Sequence, residues 1–131
     1  MFKNCFRTFL CAGMILSTLA ALGCGKNAPQ QPADKAEKVV ETFLDAWSRG
    51  EPPEKFAGPD HPIQGDDPDW KAGYRLMSFL TSDAKQSQEM PDHVRCRVAL
   101  SLQDAKRKRW SKEVVYDVQL GEKSVISRVS R

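Results

Sequence analysis

From Asp34 to Arg49 the apolar side chains recur at helical spacing. Ala36, Val39, Val40, Phe43 and Trp47 fall on one stripe, and Leu44 and Ala46 widen it. That period predicts an amphipathic helix with a single buried face. Asp34 followed by Glu37 is the Asp-x-x-Glu form of a capping box, Arg49 complements the dipole at the far end, and Gly50 offers a left-handed stop. Trp47 lies at core spacing and is read as core. Beyond Tyr74 the period changes to two. Tyr74 to Leu80 reads as a strand. In His93 to Gln103, Val94, Cys96, Val98, Leu100 and Leu102 point one way and Arg95, Arg97, Ser101 and Gln103 the other. Glu113 to Leu120 repeats the theme with Val114, Tyr116, Val118 and Leu120, and Val125, Ser127 and Val129 suggest a last strand after the tight Gly121-Glu122-Lys123 connection.

Between helix and strands, Pro52, Pro53, Gly58, Pro59, Pro62, Gly65 and Pro68 punctuate Glu51 to Asp69. This composition predicts an ordered but irregular loop, with a short helical turn near Pro53 to Ala57. Consecutive strands with short links and one apolar face form a meander, and the helix stripe covers that face. The expected fold is therefore α+β: one N-terminal amphipathic helix packed on a curved antiparallel β-sheet meander, a single domain over residues 34–131.

Upstream of the helix the chain is of another kind. Lys3 and Arg7 precede an uncharged apolar run, Phe9 to Leu22, shorter than the roughly 20 residues a spanning helix needs. Small residues Ala20, Ala21 and Gly23 then lead to Cys24. Ala21-Leu22-Gly23-Cys24 resembles the lipobox of bacterial lipoproteins. The resemblance implies cleavage before Cys24, acylation of its thiol, and attachment to a membrane on the extracytoplasmic side of the cell envelope. The alternative is an ordinary secretory signal cut near the same place, with Cys24 lost or left free. On the lipoprotein reading, residues 1–23 are the signal peptide and 24–33 a flexible tether, since Pro29, Gln30, Gln31 and Pro32 bring nothing apolar to bury.

Losing the leader alters the charge balance. The chain has 20 basic and 17 acidic residues, and without Lys3 and Arg7 the balance is 18 to 17. Net charge then gives no support to a nucleic-acid partner. Of the four cysteines, Cys5 and Cys11 leave with the leader and Cys24 carries lipid, so Cys96 has no internal disulfide partner. Its place between Val94 and Val98 makes it a small buried hydrophobe.

The layout as a whole resembles the nuclear-transport-factor-two-like superfamily, within or near which lie small exported lipoproteins. The residues that carry this are Asp45-Ala46-Trp47-Ser48-Arg49-Gly50 closing the helix and Asp69-Trp70-Lys71-Ala72-Gly73-Tyr74 ahead of the long strands. The likeness spans roughly Ala36 to Arg128, without the second and third long helices of full-size members. It implies a cone-shaped α+β body. Members include isomerases, dehydratases and non-catalytic domains, so the fold does not choose a function.

The candidate chemistry is sparse. His61 stands ahead of Asp66, Asp67 and Asp69, a set able to move protons if it converges in a pocket. The same Asp residues also suit turn geometry, and His93, on the polar face of its strand, is read as a surface residue. Gly65-Asp66-Asp67-Pro68-Asp69 offers oxygen donors but not the twelve-residue calcium pattern, and no Cys/His set has zinc spacing. No cofactor or metal is expected. Lys106-Arg107-Lys108-Arg109-Trp110, between the two best strands, places four cations and a tryptophan at a hairpin tip, where they suit anionic headgroups. A solvated hairpin end is the plainer reading of the same run. The expectation is a lipid-anchored, non-catalytic binding or structural module, with an anionic lipid or an envelope protein as partner. The alternative is a small cone-fold enzyme using His61 and Asp66, Asp67 and Asp69.

Overall fold

The computed structural model describes residues 31–56 and 61–130. The leader, Cys24 and most of the expected tether lie outside the described residues. Helix α1 spans Pro32–Ser48 and starts two residues before the capping box. Gln31 is its N-cap and makes no side-chain cap bond, while Pro32 occupies the first turn, where its missing N–H costs nothing. Asp34 therefore acts as a first-turn charge on the helix dipole and not as the cap. At the other end the amide of Gly50 donates to Trp47 O and that of Glu51 to Ala46 O. Gly50 adopts φ +79°, so the helix closes with the Schellman pattern that favours glycine.

The segment expected as irregular loop holds three short elements. These are a 3₁₀ turn at Pro53–Phe56, strand β1 at Ile63–Asp66 and helix α2 at Pro68–Lys71. Four longer strands follow: β2 (Arg75–Gln86), β3 (His93–Gln103), β4 (Arg109–Gln119) and β5 (Ser124–Arg128). They form one open, curved five-stranded sheet in the order β1-β5-β4-β3-β2. From β2 to β5 the pairing is the antiparallel meander expected, but β1 joins β5 in parallel, so the sheet is mixed. A four-residue strand containing glycine has too little alternation to be seen in sequence.

Strand β3 matches its expected limits. Strand β2 runs six residues past Leu80, because register shifts between Leu76 and Ser78 and between Thr81 and Asp83 interrupt its period of two. β5 inverts the expected faces: Ile126 is 1% exposed while Val125 is among the exposed large hydrophobics. The pairing of Ile126 with the buried Val118 sets this face.

One core lies between α1 and the sheet. Phe43 is its centre, edge-on to Phe56, Trp70 and Tyr116 at centroid distances of 5.6, 5.1 and 6.1 Å, and Trp47 stacks on Trp70 at 5.7 Å. Both buried indole N–H groups are satisfied, Trp47 Nε1 by Tyr74 O at 2.8 Å and Trp70 Nε1 by Glu51 O at 3.0 Å. Cys96 is fully buried in this core, and burial pushes its thiol up to about 11. Among the described residues the core members run from Ala36 to Ile126.

Gly65 lies beneath the Phe43 ring. A Cβ there would overlap the ring and sit 2.7 Å from Ile126 Cγ2. Gly65→Ala is expected to cost at least 1–3 kcal/mol as the core overpacks, measured as a lowered urea midpoint. Unchanged stability would show that β1 does not press on Phe43.

Candidate functional site

The three carboxylates of the Asp66–Asp69 run have three different fates. Asp66 is exposed and pairs with Lys71 at 2.7 Å. Asp67 is 1% exposed, the sole buried charged residue among those described. Its Oδ1 accepts from the amides of Asp69 and Trp70 at 2.8 and 3.1 Å, which makes it the N-cap of α2. Its Oδ2 accepts from Tyr116 Oη at 2.6 Å and lies 2.8 Å from Arg128 Nη2. Asp69 receives Arg128 Nη1 at 2.5 Å and the Lys112 ammonium.

The result is a largely buried network joining α2, β4 and β5. Arg128 approaches Asp67 as a charge contact rather than an aligned hydrogen bond, and its Nε has no hydrogen-bond partner among the described residues. Burial, the Asp67 charge and the hydrogen bond to it drive the Tyr116 phenol well above its ordinary value. Burial alone would raise Asp69, but hydrogen bonds from Lys112 and Arg128 and their positive charges outweigh it and hold the carboxyl low. Burial works against the Arg128 charge, yet the bond to Asp69 and the Asp67 charge raise its value on balance. Asp69 and Arg128 are thereby held in their charged forms and Tyr116 in its protonated form.

His61 is outside this network. Its Nδ1 lies 3.1 Å from Ile63 N and 2.7 Å from Ile63 O, and its ring packs on Phe56 at 4.4 Å. The ring nitrogen thus braces the entry to β1, while the carboxylates turn to Lys71, Tyr116, Arg128 and Lys112. His93, expected on the surface, is half-buried and bonded to Asp117 at 2.7 Å. Among the described residues no group of three or more His, Cys, Asp or Glu side chains is arranged to hold a metal ion. None of the described helices is long and apolar enough to cross a membrane.

The basic run is a built turn. Asp104 Oδ1 accepts from the amides of Lys106 and Lys108, both at 2.9 Å, and Arg107 takes a left-handed φ of +65°. Lys106, Arg107, Lys108 and Arg109 are all exposed, and none forms an ion pair among the described residues. Trp110 does not share that tip. It is the second residue of β4, pairs with Leu102, and packs edge-on against Tyr74 at 5.0 Å on the α1 side of the sheet. Alternation along the strand separates it from Arg109.

The sheet face away from α1 carries a groove of about 1000 Å³, floored in part by Lys85, Arg95, Arg97, Glu113 and Val115. Its charges are mostly matched internally, Lys85 to Asp83 at 3.3 Å and Arg97 to Glu113 at 3.5 Å, which leaves Arg95 without an ion pair among the described residues. The sequence reading missed Tyr116, Lys112 and Arg128 as partners of the Asp run. A signal existed: Arg128 stands two residues after the buried Ile126, so strand alternation turns a charge toward the core, where it requires an acid.

No protein-family model matches the chain, and no curated protein matches it in sequence. Its structure is similar to one described as the crystal structure of TerC co-crystallised with polyporic acid, at 9% identity and a TM-score of 0.45. That match covers 73% of this chain and 91% of the other. At this level the likeness carries no functional argument.

Removing Arg128 strands Asp67 in the core. Arg128→Met is expected to cost about 3–5 kcal/mol and Tyr116→Phe about 1–3 kcal/mol, both read from denaturant unfolding; wild-type stability in either would overturn the network. The Asp69 carboxyl is lowered in the folded state, so its contribution is present above the ordinary carboxylate range and lost as pH falls through its lowered value. Stability should therefore drop below about pH 4, and Asp69→Asn should flatten that part of the acid limb. An acid limb identical in the variant would contradict the assignment.

Proposed function

We propose that this protein is an extracytoplasmic lipoprotein, held to a membrane through acylated Cys24, whose body is a non-catalytic module that engages an anionic surface through its β3–β4 turn. The observation that carries the reading is the tip itself: four adjacent cations, exposed, fixed by Asp104, and unmatched by acids among the described residues. A merely solvated turn does not require such a concentration of one sign. Trp110 packs against Tyr74 on the opposite face of the strand from Arg109, so the contact proposed here rests on the four cations. The curved sheet beneath one helix is in keeping with the nuclear-transport-factor-two-like layout, which stays part of this proposal.

The placement of α1 supports a particular orientation for the proposed contact. The end of α1 lies beside Tyr74 and hence at the Gln103–Arg109 end of the sheet, so the beginning of α1 lies at the opposite pole. Seventeen residues of helix separate the two by about 25 Å. From Cys24 to Gln31 the chain reaches at most ~25 Å. Lipid and tip can therefore hold the same bilayer when the long axis of the sheet lies along it. The mutual engagement of Asp67, Asp69 and Tyr116 favours this reading over acid–base chemistry, because those groups are committed to holding α2, β4 and β5 together.

Residues 31–131, which lack the lipid site, should bind vesicles containing anionic phospholipid at low salt and not vesicles of neutral lipid. At ~1 kcal/mol per basic residue near the surface, raising salt should release the protein, and Lys106→Glu with Lys108→Glu should abolish binding. Arg107→Gly, which relieves a left-handed residue, should weaken binding without destabilising the fold. Absence of low-salt binding, or binding indifferent to these charges, would sink the proposal.

A further inference from the structure

Between Arg109 and Glu113, β4 is paired on its outer side with none of the described residues. Strand β5 covers β4 only from Tyr116 to Gln119, with one further bond from the Val129 amide to Val115 O. Backbone groups along a strand alternate in direction. Val115 faces β5, whereas the Leu120 amide reaches Asp92 O on the β3 side. The odd-numbered residues Arg109, Ser111 and Glu113 therefore direct N–H and C=O away from β3, and no hydrogen bond joins these groups to another described residue. The β3–β4 register runs through this stretch without a shift, which leaves the edge straight. The other edges are blunted, β2 by two irregularities and β1 by a length of four residues.

We propose that this edge pairs with the same edge of a second copy of the chain, antiparallel about a two-fold axis at Ser111. In that register Arg109 faces the partner's Glu113, Glu113 faces the partner's Arg109, and Ser111 faces the partner's Ser111. Outward-directed residues meet outward-directed residues, so each facing pair exchanges both of its backbone hydrogen bonds. Arg109 and Glu113 are exposed on the sheet face away from α1, where opposite charges directly across a pair attract, and the Glu113 carboxylate would meet the partner's Arg109 in addition to its own Arg97 at 3.5 Å. Other registers lose this match. A two-fold at Arg109 or Glu113 sets like charges face to face, and one at Trp110 or Lys112 leaves the two charges uncrossed. The interface is isologous and closes at two copies. It is short, ending where Val129 takes up Val115, so the association is weak in dilute solution and rises with concentration.

Sedimentation equilibrium of the chain from Cys24 onward, without its acyl groups, should show the average mass climbing toward twice the monomer as concentration increases. Arg109→Glu alone and Glu113→Arg alone should stay monomeric, and the two together should restore association. Ser111→Pro removes an amide that β3 does not use, so it should keep the fold while abolishing the dimer. Ser111→Cys should give a disulfide-linked dimer under oxidation, because directly paired residues sit about 5.5 Å apart at Cα, while buried Cys96 stays free. A wild type that is monomeric at every concentration, single charge reversals that associate as well as wild type, or a Ser111→Cys chain that does not cross-link would each overturn the proposal.

Discussion

Asp67 is the constraint on which the architecture rests. One carboxylate caps α2 through two backbone amides, takes the Tyr116 hydroxyl from β4 and faces the Arg128 guanidinium from β5. A fully buried charge is tolerated only when its lone pairs and its charge are met, so its presence obliges α2, β4 and β5 to arrive together. Through α2 it positions Trp70, which stacks on Trp47 and lies edge-on to Phe43. The aromatic layer under α1 and the polar clamp beneath β5 are two halves of one arrangement. Arg128 also contributes its cation near the Tyr116 ring, 5.9 Å from the centroid.

This arrangement explains how the described residues, with one long helix and no disulfide among them, keep a body. The core draws on bulky aromatics rather than on a second helical layer, and the clamp fixes the parallel β1–β5 pair at the sheet's edge. It also decides what remains outside. With the Asp run, Tyr116 and His61 committed to structure, the surface features among the described residues include the cations of the β3–β4 turn, the mostly paired charges of the open face, and the uncovered stretch of β4.

The sequence disclosed regular elements and hid exceptions. Strand β3 was legible to the residue because one face is uniformly apolar and the other polar. Helix α1 was legible from its stripe, but Pro32 extended its start, since a proline that ends most helices is harmless in a first turn. β1 escaped notice because its glycine accommodates Phe43 and leaves no periodic signal. Within the Asp run, composition treats Asp66, Asp67 and Asp69 alike. Only the tertiary arrival of Tyr116, Lys112 and Arg128, 43 to 61 positions beyond the carboxylates they meet, tells them apart. Trp110 joined the cations in sequence but not in space, because neighbours on a strand point to opposite faces.

The account of function turns on an event at Cys24. Intact-mass measurement of the protein recovered from membranes tests it most directly. The account predicts a chain that begins at Cys24 and carries the added mass of acyl groups. A soluble chain retaining Met1 through Gly23, without lipid, would contradict it.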